Sequence, residues 1–253
     1  MLKTHSWKLV SVVLLALVAT ACSGAGTSDD TIRVFAAASL TDAFAELEVA
    51  FEAANPGIDV ELNLGGSSSL REQIRAGAPA DVFASANIEI ADSLVDEALI
   101  TSGISIFATN SLSIAVPAGN PGAVTSAADL ERSDLAVGLC AATVPCGELA
   151  LEELAALGVE ADIDTNEPDV RALLTKVELG ELDVGVVYET DVLAADGGVE
   201  AIPLGNSSPL LTSYPIAALA EAPNSQGAQD FVSFVLSNEA SAVLASFGFG
   251  EAA

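Results

Sequence analysis

Apolar and polar positions change rhythm repeatedly along this chain. Short β-branched runs alternate with longer runs in which apolar residues recur three and four positions apart. Thr31–Ala37 reads as the first strand. Thr41–Ala54 reads as a helix, with Phe44, Leu47 and Phe51 on one face and Asn55-Pro56-Gly57 ending it. Ile58–Leu64 predicts a second strand, and Ser69–Ala76 a short helix with a capping box of Ser69 and Glu72. Strand Asp81–Ser85 and helix Asn87–Ala98 complete a first set. A second set starts at Asn110 with an apolar strand ending at Pro117. Strand Asp134–Cys140, helices Gly147–Leu157 and Asp169–Leu179, and strand Asp183–Tyr188 follow. Val170, Leu173, Leu174 and Val177 make one apolar face of the helix from Asp169. Strand Tyr214–Ala220 and helices Ser225–Leu236 and Glu239–Phe247 end the pattern. Strand and helix in alternation predict an α/β fold.

The N-terminus obeys a different logic. Lys3 and Lys8 precede an apolar run from Leu9 to Val18, and small residues lead to Cys22. This predicts a secretion signal over 1–21, with an apolar core too short to span a bilayer comfortably. A cysteine directly after small residues resembles the bacterial lipobox, in which Cys22 becomes the lipidated first residue; ordinary cleavage with Cys22 incidental is the alternative. Residues 22–30 then form a flexible tether.

Charge narrows the function classes. The chain carries a formal charge of -28. Removing 1–21 takes away two lysines and the His, Trp and Met, and leaves six basic residues against 36 acids, a formal charge of -30. Such a chain is unsuited to nucleic acid and to anionic lipid surfaces, which call for basic patches. Without histidine, Ser-His-Asp and Cys-His catalysis and histidine zinc sites are excluded. Lys176 stays formally open as the base of a Ser-Lys pair, although it lies well inside a helical run. An apolar fraction of 51% suits a sizeable core and argues against disorder.

Four seams between strands and helices share one design. Ser39 precedes the first helix and Ser67 the second; Cys146-Gly147 and Asp169-Val170 open two later ones. Each offers unpaired backbone N–H groups where the helix dipole is positive, and the serines add hydroxyls. Such ends bind oxyanions without Lys or Arg. Singly, each is also an ordinary helix cap; only their convergence would make a site.

The chain resembles the periplasmic molybdate-binding proteins of ABC importers, a branch of the type II periplasmic binding proteins. The resemblance rests on residues 34–44 (VFAAASLTDAF), 67–86 (SSSLREQIRAGAPADVFASA), 110–117 (NSLSIAVP), 144–147 (VPCG), 169–191 (DVRALLTKVELGELDVGVVYETD) and 214–217 (YPIA). It implies two α/β lobes joined by two crossing hinge strands, with a ligand cleft between them. Lobe one would comprise 31–111 plus 216–253 and lobe two 112–215, with crossings near Ser111–Val116 and Leu211–Ile216. It implies five ligands for a molybdate or tungstate oxyanion: the Ser39 and Ser67 hydroxyls, the Cys146 and Val170 main-chain N–H groups, and the Tyr188 hydroxyl. All five meet oxygens of the anion, and none meets the metal directly. Three serines in a row leave the register of Ser67 against Ser68 open. Cys146 stands where the family often has alanine, a change that a backbone contact tolerates. Arg71 and Arg171, one turn from two seams, read as surface or supporting groups.

Cys140 and Cys146 remain as an even pair once Cys22 is lipidated. Outside the cytoplasm that favours a disulfide; a redox pair is the rival, but the spacer is not Cys-X-X-Cys. The expectation is therefore a monomeric, lipid-anchored binding subunit on the outer face of the cell membrane. It has no cofactor and no catalytic activity, and it serves ABC permease subunits. The rival readings are the same fold tuned to another anion such as sulfate, a serine hydrolase, and a surface lipoprotein without a transport role.

Overall fold

The computed structural model describes residues 30–205 and 209–252. The expected signal peptide, Cys22 and the tether up to residue 29 lie outside the described residues. The chain builds two five-stranded mixed sheets, each with helices around it. The first contains β1 (Thr31–Ala37), β2 (Asp59–Gly65), β3 (Val82–Ala84), β4 (Ser105–Asn110) and β10 (Thr212–Ala218), in the order β2-β1-β3-β10-β4. The second contains β5 (Leu112–Pro117), β6 (Val137–Cys140), β7 (Thr165–Glu167), β8 (Val184–Tyr188) and β9 (Val199–Ile202), in the order β7-β6-β8-β5-β9. Within each sheet three strands run parallel: β2, β1 and β3 in one, and β7, β6 and β8 in the other. Helices α1 (Thr41–Ala54), α2 (Ser67–Arg75) and α3 (Ile88–Asp96) follow the parallel strands of the first sheet. Helices α4 (Pro145–Leu157), α5 (Val170–Glu178) and α6 (Glu189–Ala194) follow those of the second.

The apolar faces seen in the sequence are the ones that are buried. Phe44, Leu47 and Phe51 of α1 are all in the core. They meet α7 (Ser225–Val235), where the Phe231 ring packs edge-on to Phe44 and Phe51 at 6.3 and 5.2 Å between centroids. The terminal helices α7 and α8 (Asn238–Ser246) thus return to the first lobe. Val170, Leu173, Leu174 and Val177 of α5 are buried in the second.

Three expectations need correction. The return to the first lobe falls at Thr212 and not at 216, because β10 pairs with β4 from Thr212↔Asn110 onward. β5 and β10 also each belong wholly to one sheet, so the chain crosses at Ser111 and along the segment before Thr212. Helix α2 begins at Ser67 with Gly66 as its cap residue, so the capping box of Ser69 and Glu72 does not form. Strands β4, β7 and β9, together with helix α6, have no counterpart in the sequence reading.

Candidate functional site

Every parallel strand leads to one cavity, β3 reaching it through Ala86. In open α/β sheets the space beyond the carboxyl ends of the strands is where ligands bind. β1 ends at Ala37 and leads through a 3-10 turn, Ala38–Leu40, to Ser39. β2 ends at Gly65, and Ser67 opens α2. β6 leads to Cys146 in the first turn of α4, β7 leads to Val170 at the start of α5, and β8 ends on Tyr188. The structure brings all five residues to the wall of a single cavity, with Ala86, Val144 and Asp169 beside them. The cavity measures about 20 Å³, on a scale where one water needs roughly 10–15 Å³. It admits a ligand of a few heavy atoms. A larger groove of about 200 Å³ lies nearby, but Glu89, Glu148 and Glu152 line it, and three carboxylates repel an anion.

Apart from the Asp169 carboxylate, the polar groups on the wall of the small cavity are the Ser39, Ser67 and Tyr188 hydroxyls and main-chain groups at the helix starts. Pro145 and Asp169 stand at the starts of α4 and α5, and the Asp169 side chain accepts from Ala172 N at 2.9 Å. The N–H groups of Cys146 and Val170 donate to no described residue. Tyr188 is 1% exposed, and its hydroxyl has no hydrogen-bond partner among the described residues. Burial pushes the ionisation of that hydroxyl well above the usual tyrosine range, and Tyr214 and Asp191 reinforce the shift. It therefore stays protonated and able to donate. The Ser67 hydroxyl accepts from Ala86 N at 3.1 Å, while Ser68 turns away and donates to Thr143 O at 2.5 Å. The serine at the cavity is thus Ser67.

No Lys or Arg lines the cavity. Arg171, read from the sequence as a supporting group, spans the lobes instead. Its guanidinium pairs with Asp42 of α1 and lies 3.6 Å from Asp191 Oδ1. Asp191 is fully buried, and its other oxygen accepts from Tyr188 N at 3.1 Å. Burial raises its carboxyl from the usual 3.8 to about 7, against the opposing pull of Arg171. The native protein therefore holds this proton more tightly than the unfolded chain does. Its contribution to stability falls as pH rises from about 4 to about 7. Asp191→Asn should accordingly flatten the stability profile over that window. Melts of both proteins from pH 4 to 8 check this: parallel profiles would mean that Asp191 does not titrate there.

Cys140 and Cys146 are joined by a disulfide with Cα atoms 5.8 Å apart, both residues buried. It ties the end of β6 to the first turn of α4 and so holds the Cys146 N–H in place.

Three contacts close the lobes around the cavity besides Arg171–Asp42. Ser68 meets Thr143, and Asn87 Nδ2 donates to Glu148 Oε2 at 3.2 Å. Gly66 lies against the Pro168 carbonyl so closely that a Cβ there would stand 2.6 Å from it. None of these three was legible in the sequence.

Comparison with known proteins agrees with this geometry. The profile of the bacterial extracellular solute-binding protein family matches residues 32–250. The molybdate-binding protein ModA of Mycobacterium tuberculosis is 37% identical over 251 residues, covering 96% of each chain. Among solved structures, the periplasmic molybdate-binding protein of Azotobacter vinelandii superposes with a TM-score of 0.77 at 19% identity, over 88% of this chain and all of that one. The sulfate-binding protein SubI of M. tuberculosis superposes with the same TM-score and identity, over 87% of this chain and 86% of that one. At such identities the superpositions speak for the two-lobed fold alone.

Proposed function

The chain belongs to the bacterial extracellular solute-binding protein family, and from that premise we propose that it captures molybdate, and tungstate with it, for an ABC importer. The observation that carries this reading is the Tyr188 hydroxyl, buried, protonated and without a partner, on the wall of a cavity rimmed by helix starts. A buried unmade hydrogen bond costs about 1–3 kcal/mol, so a ligand acceptor is the natural complement. The five ligands of the reading are the Ser39 and Ser67 hydroxyls, the N–H groups of Cys146 and Val170, and Tyr188. They act on the anion's oxygens, with no residue on the metal and no bond made or broken. Lobe one in this reading is 31–111 with the C-terminal segment from 212, and lobe two is the stretch between.

Size is one filter. The cavity is small, about 20 Å³, and in this reading a cleft closed on the longer metal–oxygen bonds of molybdate or tungstate holds the smaller sulfate only through stretched hydrogen bonds, which weaken steeply. Phosphate also carries a proton near neutral pH, and none of the five proposed ligands is a carboxylate that would accept it. The −30 charge of the mature chain slows anion approach only locally, since the field is screened beyond about 8 Å at physiological salt. The lipobox-like Cys22 further supports a protein tethered outside the cytoplasm, where it would serve membrane permease subunits.

Calorimetric titration and melting with a panel of oxyanions test the reading. Molybdate and tungstate at about 100 times their dissociation constant should add about 2.7 kcal/mol of stability. Sulfate and phosphate at the same concentration should do little. Ser39→Ala and Ser67→Ala should each lose roughly 1.5–3 kcal/mol of binding, the range for a hydrogen bond to a charged group. Sulfate matching molybdate would move the assignment to the sulfate reading, and serine variants that bind like the parent would sink the ligand set.

A further inference from the structure

A serine hydroxyl can donate or accept, so a cavity lined by serines has no fixed polarity unless something else fixes it. Here something does. Ser67 accepts the Ala86 N–H, which takes one of its lone pairs, and its own proton is free to face the cavity. Ser39 is controlled by a longer chain. Its hydroxyl lies 2.9 Å from the Tyr214 hydroxyl, which is itself buried on β10. Asn110, at the end of β4, points its Nδ2 at Tyr214 Oη, 3.4 Å away, and at Thr190 Oγ1, 2.8 Å away. The amide cannot turn over, because its Oδ1 accepts from Ser111 N at 2.9 Å.

Either hydroxyl of the Ser39–Tyr214 pair can donate. In the order Asn110 to Tyr214 to Ser39, each group donates to the next and the Ser39 proton is left to face the cavity. Burial pushes the Tyr214 hydroxyl above the ordinary tyrosine range, so it stays a donor throughout. Resting on the oxyanion reading above, we propose that the chain runs in this order and that Tyr214 is a specificity-determining positioning residue: acting through Ser39, it turns the Ser39 hydroxyl into a donor to the cavity and so favours fully deprotonated oxyanions over protonated ones. Tyr214 is absent from the cavity wall, so any effect it has on the anion must pass through another group.

Tyr214→Phe keeps the ring in the core and removes the proton that Ser39 accepts. Ser39 is then free to rotate and accept the proton of hydrogen phosphate. Asn110→Asp offers a second route. Its carboxylate would take the Tyr214 proton and reverse the chain, while an oxygen still accepts from Ser111 N. Both variants, titrated at pH 7.5 with hydrogen phosphate and with the dianion the wild type prefers among molybdate, tungstate and sulfate, should lower the dianion-to-phosphate affinity ratio by about tenfold. In a Ser39→Ala background Tyr214→Phe should leave that ratio unchanged, as expected for two residues acting as one unit. A ratio is read within a single protein, so a general loss of stability does not mimic it. An unchanged ratio in whichever variants fold, or an equal shift in the Ser39→Ala background, overturns the proposal. A wild type that binds none of the dianions overturns the oxyanion reading itself.

Discussion

Gly66→Ala should weaken oxyanion binding by a hundredfold or more while leaving the ligand-free protein as stable as before. Gly66 has φ −60° and ψ 130°, a conformation open to any residue, so alanine brings no backbone strain. By narrowing the unfolded ensemble, the change could even add roughly 0.4–1 kcal/mol to stability. The obstacle lies across the cleft, where the new methyl would stand 2.6 Å from the Pro168 carbonyl and 3.4 Å from the Asp169 Cβ. Backbone cannot yield as a side-chain tip can, so the lobes must part. Ser39 and Ser67 then draw away from Cys146, Val170 and Tyr188, and hydrogen bonds weaken steeply as they lengthen and tilt. Losing two bonds to a charged ligand, each about 1.5–3 kcal/mol, amounts to at least ~3 kcal/mol, or more than a hundredfold. Calorimetric titration reads the affinity and a melt of the free protein reads the fold. Wild-type affinity in the variant would mean that the lobes need not close on Pro168.

The second large effect is on the fold. Gly147 sits in the first turn of α4, where alanine would ordinarily be favoured over glycine by about 1 kcal/mol. Here a Cβ would collide with the carbonyl oxygen of Ala141 and stand 2.5 Å from that of Cys140. Both belong to the connection that the Cys140–Cys146 disulfide already draws tight, so neither side can retreat. Gly147→Ala is expected to cost about 3 kcal/mol, the upper range for overpacking. For a chain of this size that lowers the melting temperature by about 6–12 °C. A melting curve shifted by less than 2 °C would show that the turn can move aside. Opposite outcomes from two glycine substitutions, one sparing the fold and one damaging it, follow from what each hydrogen faces.

The sequence discloses some parts of this architecture and hides others for physical reasons. Buried strands such as Val184–Tyr188 and amphipathic helices such as α5 carry their burial in their composition, so periodicity finds them. β7, with the sequence Thr-Asn-Glu, has no apolar side chain to betray it and exists because Cys140 and its neighbours offer a partner. α6 is six residues long, too short to show a period. Helix starts were legible because small residues before an apolar run have few other uses, and four of them do meet at one cavity. What could not be read was anything joining distant positions. Ser68 and Thr143 are 75 residues apart and Asp42 and Arg171 are 129 apart, so only the folded topology makes them neighbours. The boundary of α2 failed for a related reason: Ser69 and Glu72 looked like a capping box, but the helix already begins at Ser67, whose hydroxyl accepts from Ala86 N, 19 residues away.

In the proposed ligand set the donors divide between the lobes, two on one and three on the other, and that division has a consequence in time. An arriving anion meets half a site, so its capture rate depends on whichever face it touches first and on the acidic surroundings it must cross. A departing anion must wait for the lobes to separate. That separation breaks Arg171–Asp42, Ser68–Thr143 and Asn87–Glu148 as well as the anion's own bonds. None of the residues in those three pairs lies on the cavity wall. They set how long a captured anion stays without influencing which anion is captured, so dwell time and chemical choice are written in different residues and can change independently.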